Sequence, residues 1–122
     1  MTIRFEVKGI PEVKSLLNKW SNEKKIEVDN GIKQAGYFIQ GEVVESIAGH
    51  RAETMSVDTG RFKNSIVAIF PKPFTASVET NVEYAKFLEF GTSKIMPRMH
   101  FRNTLIRNHS KIVDFIREKI KK

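Results

Sequence analysis

Few residues of this chain have the type and spacing that metal binding requires. Its three histidines are His50, His100 and His109, and no two of them have the i, i+4 spacing of a helical metal pair. His50 and Glu53 supply only two of the three or four ligands that a zinc site needs. We therefore expect no metal and no cofactor.

Nucleophilic and acid–base catalysis also lack a recognisable set of residues. Ser65 and Ser93 stand outside a nucleophile-elbow sequence. Glu83 and Glu89 are six positions apart on a predicted helix, so their carboxylates point to different faces. The absence of cysteine excludes a disulfide scaffold and a cysteine nucleophile. The sequence predicts a protein that is not an enzyme, has no catalytic residues and takes no small-molecule substrate.

Length and composition are typical of one domain, residues 1–122. Hydrophobic residues make up 40% of the chain, with nine phenylalanines and one tryptophan, which is enough for one core. No apolar run approaches the roughly 20 residues that span a bilayer. The first residues alternate apolar and polar types, unlike a signal peptide. We expect a soluble protein made in the cytoplasm, with no membrane contact.

The positive charge is concentrated at the C-terminus. The net charge is +7, and residues 1–97 contribute only +1 of it, whereas residues 98–122 hold eight Lys and Arg against Asp114 and Glu118. Such a segment favours nucleic acid or an acidic partner, and an ordinary solvated helix face is the alternative.

Residues 1–48 predict a strand, a short helix and a long helix. Ile3, Phe5 and Val7 alternate with polar residues, as in a half-buried strand. Pro11 then opens a short helix that extends to about Trp20. Ser21 caps an amphipathic helix over residues 21–48. Its apolar stripe consists of Val28, Ile32, Ala35, Ile39, Val43 and Ile47.

Two glycines flank this stripe, and each costs the helix about 1 kcal/mol relative to alanine. They are Gly31 and Gly36, while Gly41 lies away from the stripe. Either a neighbouring element approaches closely at Gly31 and Gly36, or the helix is weak and depends on tertiary packing. The sequence leaves both interpretations open.

Residues 49–81 predict a loop followed by a hairpin. Residues 49–58 are polar and without periodicity, as in a mobile loop. Asp58 or Thr59 caps a short turn over residues 61–64. The segments SIVAIF and FTASVET then form two strands joined by Pro71-Lys72-Pro73, all within residues 59–81.

Residues 82–122 predict two helices separated by a loop. Tyr84, Phe87 and Leu88 have helical spacing, which gives about two turns within residues 82–91, ended by Gly91. A loop over residues 92–100 leads to a basic helix over residues 101–122, with His109 on its apolar side as a boundary or core residue. The apolar side comprises Phe101, Leu105, Ile112, Ile116 and Ile120, and the opposite side Arg107, Lys111, Arg117, Lys121 and Lys122. The order of elements predicts an α+β fold, an antiparallel sheet packed with one long amphipathic helix and a C-terminal helix.

Three blocks of residues follow one another along the second half of the chain. They are Thr59, Gly60, Arg61, Phe62, Ser65 and Ile66; Tyr84, Ala85, Glu89, Phe90, Gly91 and Thr92; and Pro97, Arg98, His100, Phe101 and Arg102. In this order they resemble the signature of a tailed-phage family, the Hong Kong 97-like gene-ten-product family of head–tail joining and tail-completion proteins. The resemblance spans about residues 20–122, although Phe62 and Met99 stand where the family more often has leucine and proline.

The resemblance implies a structural virion protein that forms a homo-oligomeric ring at the head–tail junction. Its neighbours would be phage connector and tail proteins, and its location the virion, after assembly in the host cytoplasm. DNA passes through such a ring, so weak non-specific contact is expected from the basic helix, at Arg107, Lys111, Arg117 and Lys121. The alternative function is a small cytoplasmic nucleic-acid-binding protein that uses the same helix.

The residues after Gly91 are the predicted contact with a neighbouring subunit. They combine polar residues with adaptable methionines, which suit a surface that meets partners. This segment, named here the contact loop, consists of Thr92, Ser93, Lys94, Ile95, Met96, Pro97, Arg98 and Met99.

Other residues of the three blocks have predicted structural roles. Gly60 and Gly91 are expected to adopt backbone conformations that other residues resist. Glu89 is expected to pair with Arg61 or Arg98, or else to be an ordinary exposed carboxylate. The large aromatic rings are expected to be mostly internal. They are Tyr84, Phe87, Phe90 and Phe101.

Overall fold

A computed structural model of the chain describes residues 2–6, 19–56 and 60–121. Its elements, in chain order, are β1 (Thr2–Glu6), α1 (Asn22–Ile47), α2 (Arg61–Asn64), β2 (Val67–Ile69), β3 (Thr75–Glu79), α3 (Ala85–Phe90), α4 (His100–Arg107) and α5 (His109–Lys121). The helix predicted from Pro11 lies outside the described residues, except for its last two positions. No helix within the described residues is long and apolar enough to cross a bilayer.

The predicted α+β class is confirmed. The three strands form one antiparallel sheet in the order β1-β3-β2, so the predicted hairpin is present and β1 pairs with its second strand. Helix α1 packs across the sheet against β2 and β3 and also against α2, α4 and α5. The core therefore lies around this one long helix.

Helix α1 forms where its periodicity predicts. The Ser21 hydroxyl accepts a hydrogen bond from the backbone N–H of Lys24 at 3.1 Å, which caps the first turn. All six residues of the predicted stripe are fully buried. At the other end the chain leaves the helix through Gly49, whose φ is +86°.

The glycines of α1 mark close approaches by other elements. A methyl group added at Gly31 would lie 2.9 Å from the Cγ atom of Lys119 in α5. A methyl group added at Gly36 would lie 2.8 Å from the ring of Phe70, beside the sheet. Gly41 has nothing within 4 Å of the same position. Of the two interpretations left open by the sequence, close approach is the one that the structure supports.

The C-terminal region is two helices, so the prediction of one continuous helix from Phe101 is wrong. The break is at Asn108, which is buried and whose side-chain amide donates to the carbonyl of Thr104 at 2.9 Å. An asparagine that bonds the preceding turn competes with the helical backbone pattern. His109, just after the break, is exposed rather than on the apolar side as predicted.

The short helix α2 is present, and a glycine occupies its N-cap position. Its N-cap position is Gly60, with φ of +81° and no side-chain hydrogen bond. Asp58 and Thr59, the predicted caps, lie outside the described residues.

Candidate subunit-contact surface

The three sequence blocks meet around the ring of Phe62. This buried ring packs edge-on against Tyr84, with 6.0 Å between ring centroids, and against His100 at 6.1 Å. Ser65, in the same block, donates to the carbonyl of Phe62 at 2.6 Å and bonds the hydroxyl of Thr80. One residue from each block thus contributes to a single aromatic cluster.

Glu89 fixes the two ends of the contact loop relative to each other. Its buried carboxylate accepts hydrogen bonds from the backbone N–H groups of Phe101 at 2.9 Å and Arg102 at 3.0 Å. These donors belong to the first turn of α4, which has no intrahelical partner for them and attracts negative charge. The predicted pairing of Glu89 with Arg61 or Arg98 is wrong, and so is the alternative that Glu89 is an exposed carboxylate. Arg61 instead lies 4.0 Å from Glu83.

Arg98 ties the contact loop to the segment that follows α1. Its guanidinium donates to the carbonyl of Met55 at 3.0 Å and to the hydroxyl of Ser56 at 2.8 Å. Its backbone N–H donates to the carbonyl of Leu88 at 2.8 Å. The loop is therefore anchored at its C-terminal end to two separate parts of the chain.

His100 lies in a directed chain of hydrogen bonds. The Ser46 hydroxyl donates to the carboxylate of Glu53, so its oxygen accepts from Nδ1–H of His100, at 2.7 Å. The Nε2 atom of His100 is then an acceptor, and the Ser56 hydroxyl donates to it, also at 2.7 Å. The chain of bonds holds His100 in its neutral Nδ1–H form.

Burial lowers the pKa of His100 to about 4, and the positive charge of Arg98 acts in the same direction. The negative charge of Glu53 opposes this shift but does not overcome it. His100 is fully buried, so a charged imidazolium would lose its hydration. The histidine is neutral near pH 7 and serves as a hydrogen-bonded packing residue.

Glu53 anchors the segment that the sequence predicts as a mobile loop. Arg107 donates to both of its carboxylate oxygens, at 2.9 and 3.0 Å, and Asn103 donates to one of them at 3.3 Å. Burial alone would raise the pKa of Glu53, but hydrogen bonds from Arg107 and Ser46 outweigh it and lower the pKa to about 2. Residues 49–56 are thus fastened to α4 rather than unattached.

The contact loop itself is compact at its start and exposed at its tip. The Thr92 hydroxyl accepts from the N–H groups of Lys94 and Ile95, both at 3.1 Å, and its own N–H donates to the carbonyl of Ile95. Gly91 enters the loop with φ of +78°, as expected for a glycine there. At the tip, the side chain of Met96 is 82% exposed.

The aromatic rings near the loop are not all internal. Phe101 is buried, and Tyr84 is partly buried. Phe87 and Phe90 are 47% and 64% exposed, so the prediction that the four rings are mostly internal is wrong for these two. Both lie on α3, the helix that precedes the loop.

The predicted DNA-facing residues do not act as one group. The guanidinium of Arg107 forms a bidentate pair with the carboxylate of Glu53. The Lys111 ammonium lies 5.4 Å from the ring centroid of Phe38, while Arg117 is exposed. The side chain of Lys121 lies outside those that the structure describes.

Metal ligands do not converge among the residues described. No group of three or more His, Asp or Glu side chains within them is placed to hold a metal ion. Nδ1 of His50 bonds the carboxylate of Glu45.

Sequence reasoning missed Ser46, Ser56 and Asn103, which complete the buried network. Ser46 stands three positions after Val43, so it falls on the buried stripe of α1. A polar residue in such a position indicates a buried hydrogen-bond partner. Ser56 and Asn103 carry no comparable local signal.

The chain has no significant match among protein-family models, curated protein sequences or solved structures.

Proposed function

We propose that this chain is a structural virion protein of a tailed phage or prophage, assembling as an oligomeric ring at the head–tail junction. The observation that carries the proposal is the ordered set of three sequence blocks that resemble the joining and tail-completion family. They lie far apart along the chain, yet Phe62, Tyr84 and His100 pack together. His100 of this cluster directly follows the exposed contact loop, through which we propose that the copies assemble.

The exposure of large apolar side chains supports a role in assembly. The contact loop and α3 together present Phe87, Phe90 and Met96 to solvent, with exposures from 47% to 82%. A contiguous exposed apolar patch usually marks a site of contact with another protein, and we propose that these three side chains belong to one such patch. Glu89 and Arg98 hold the backbone of this surface in one arrangement, so little ordering is needed on binding.

Deletion of residues 93–96 tests the proposal. The deletion removes the tip of the loop and leaves the anchors at Glu89 and Arg98. We expect a folded monomer in place of a ring-sized particle, and phage lysates in which heads and tails remain unjoined. A variant that still produced infectious particles would contradict the proposal, as would a gene neighbourhood without portal, connector and tail-tube genes.

Gly91→Asp provides a second variant at the same loop. Gly91 has φ of +78°, and a Cβ atom there would lie 2.7 Å from the carbonyl oxygen of Ile95. An aspartate therefore distorts the entry to the loop without removing any of its residues. We expect the same unjoined heads and tails. Circular dichroism spectra that match those of the parent protein would show that the rest of the fold is retained.

Nucleic-acid binding through the C-terminal helix is the competing function. It predicts affinity that falls steeply with salt concentration and disappears when Lys111 and Arg117 are changed to Glu. The pairing of Arg107 with Glu53 removes one of the predicted cations from this surface. Tight binding to DNA at 150 mM salt, together with a monomeric chain, would favour this function over the ring.

A further inference from the structure

A shallow groove lies between α1 and α5, on a different part of the surface from the contact loop. The rings of Phe38 and Phe115, with centroids 5.6 Å apart, line it together with Lys111, Asp114 and Glu118. Its volume is about 190 Å³. Both rings are partly buried, so the groove has an apolar floor that solvent reaches.

Two carboxylates form one rim of the groove. Asp114 and Glu118 are exposed and four residues apart on α5, so they lie on the same face of the helix. The Lys111 ammonium lies over the Phe38 ring, 5.4 Å from its centroid. The lining residues therefore carry a net charge of −1, although α5 as a whole is basic.

The contact loop has the complementary chemistry. Met96 is 82% exposed, and Lys94 is exposed two positions earlier. Arg98, which is only partly buried, adds a second positive charge. A methionine side chain is flexible and makes favourable contacts with aromatic rings, and a lysine pairs with carboxylates. Neither surface is complementary to itself in charge.

We propose that the groove between α1 and α5 receives the contact loop of a second copy of this chain. Met96 of one copy packs on the rings of Phe38 and Phe115 of the next, and Lys94 lies beside Asp114 and Glu118. Because two different surfaces meet, the contact is head-to-tail, the kind of contact that closes a ring when the rotation from each copy to the next divides a full turn. This inference rests on the self-association in the proposed function and specifies which surfaces form it.

Chemical crosslinking tests the pairing on a clean background, because the chain has no cysteine. Met96→Cys and Glu118→Cys are introduced together and treated with a short bismaleimide. Each copy then carries two thiols, one facing each of its two neighbours in the ring. Denaturing gels should therefore show a ladder of dimers, trimers and larger species. The ladder should end at the subunit number of the ring.

Three control variants define the result. Met96→Cys alone and Glu118→Cys alone should give at least tenfold less crosslinked product. The third control combines Met96→Cys with Glu83→Cys. Glu83 is 89% exposed, so a cysteine there is accessible to the reagent, but it lies outside the groove, and no ladder is expected. Dimers formed equally well by Met96→Cys alone would mean that the loop meets its own counterpart, which overturns the inference.

Charge reversal provides an independent measurement. Lys94→Glu alone and Glu118→Lys alone should each raise the concentration for half-maximal association at least tenfold. The double variant should recover most of the loss, since the pair is restored in the opposite sense. Additive losses in the double variant would overturn the proposed pairing.

Failure of this inference is distinguishable from failure of the proposed function. The crosslinking is performed on the purified chain and on particles from a phage lysate. Absence of a ladder in both overturns the inference, while detection of the protein at the neck of virions would still support the function. A ladder from a protein that is absent from virions would support the pairing and reject the head–tail role.

Discussion

The carboxylate of Glu89 caps helix α4, which begins at His100, with 2.9 Å between an oxygen of Glu89 and the backbone nitrogen of Phe101 in its first turn. The two residues are twelve positions apart and enclose the whole contact loop. Helix α3 thus ends where the cap of α4 is supplied. The geometry of the loop depends on this bond because it closes the loop at its base.

Replacing Glu89 by alanine should lower the free energy of unfolding. The change leaves the buried N–H of Phe101 without its acceptor, which costs about 1–3 kcal/mol. Glu89→Gln should lose less, because the amide oxygen still accepts one bond. Urea denaturation followed by circular dichroism measures the difference. Glu83→Ala, at an exposed position nearby, is the control and should change stability by less than about 0.5 kcal/mol.

Replacing Arg107 by alanine should destabilise the protein more than its surface position suggests. The Glu53 side chain is only 2% exposed, and without Arg107 it keeps a buried charge that lacks its partner. Breaking such a pair costs about 3 kcal/mol. Arg107→Lys should recover only part of this, because lysine does not bridge both carboxylate oxygens.

A double-mutant cycle checks that the effect belongs to the pair. Glu53→Gln and Arg107→Ala combined should cost less than the sum of the two single changes. Additive losses would show that Arg107 contributes through packing alone.

Stability should fall as pH decreases below about 6.5, because His100 is buried in its neutral form. The unfolded chain protonates this histidine at its ordinary pKa of 6.5, whereas the folded protein does so only at about 4. Between these values the unfolded state binds more protons, so stability rises with pH. His100→Gln should flatten the dependence in this window, as measured by thermal unfolding from pH 4 to 7.

A second fall in stability, below about pH 4.5, should remain in His100→Gln. It comes from Glu53, whose pKa is lowered to about 2 in the folded protein from an ordinary value of 4.5. Between pH 4.5 and 2 the unfolded chain binds a proton at Glu53 that the folded protein does not bind. The stabilising contribution of the folded carboxylate is therefore lost as pH falls from 4.5 towards 2. The His100 prediction has its own contrary outcome: if His100→Gln left the pH dependence between 4 and 6.5 unchanged, groups other than His100 would control that window.

The glycines of α1 should respond to alanine in opposite ways. Gly41→Ala should stabilise the protein by about 1 kcal/mol, because alanine favours the helix and nothing lies near the new methyl group. Gly36→Ala should give no gain or a loss, since its methyl group meets the Phe70 ring at 2.8 Å. Equal stabilisation by both changes, in matched thermal melts, would contradict the close packing at Gly36.

Local patterns predicted most elements because their causes are local. The apolar stripe of α1, its Ser21 cap and the end of α3 at Gly91 all depend on residues within a few positions of each other. The paired strands around Pro71-Lys72-Pro73 follow from the same kind of signal. The break at Asn108 was missed because its amide bonds Thr104 within a segment whose apolar spacing is otherwise continuous.

The polar network at the base of the contact loop was beyond sequence reasoning. Glu53 and Arg107 are 54 positions apart, and Ser46 and His100 are also 54 apart. The packing of α1 against α4 decides which acceptor meets which donor at such separations. The periodicity of the sequence does not predict these pairs. The same holds for Glu89, for which an arginine partner was the reasonable local expectation.

The sequence by itself determined the class of the fold, the position of the long helix, the hairpin and the order of the three blocks on which the proposed function rests. Only the tertiary structure decided that Glu89 caps α4, that residues 49–56 are fastened by Glu53, and that Phe87 and Phe90 face solvent. The physical reason is the range of the interactions. Helix and turn preferences act between near neighbours, whereas burial and the pairing of buried charges depend on residues that meet only when the chain is folded.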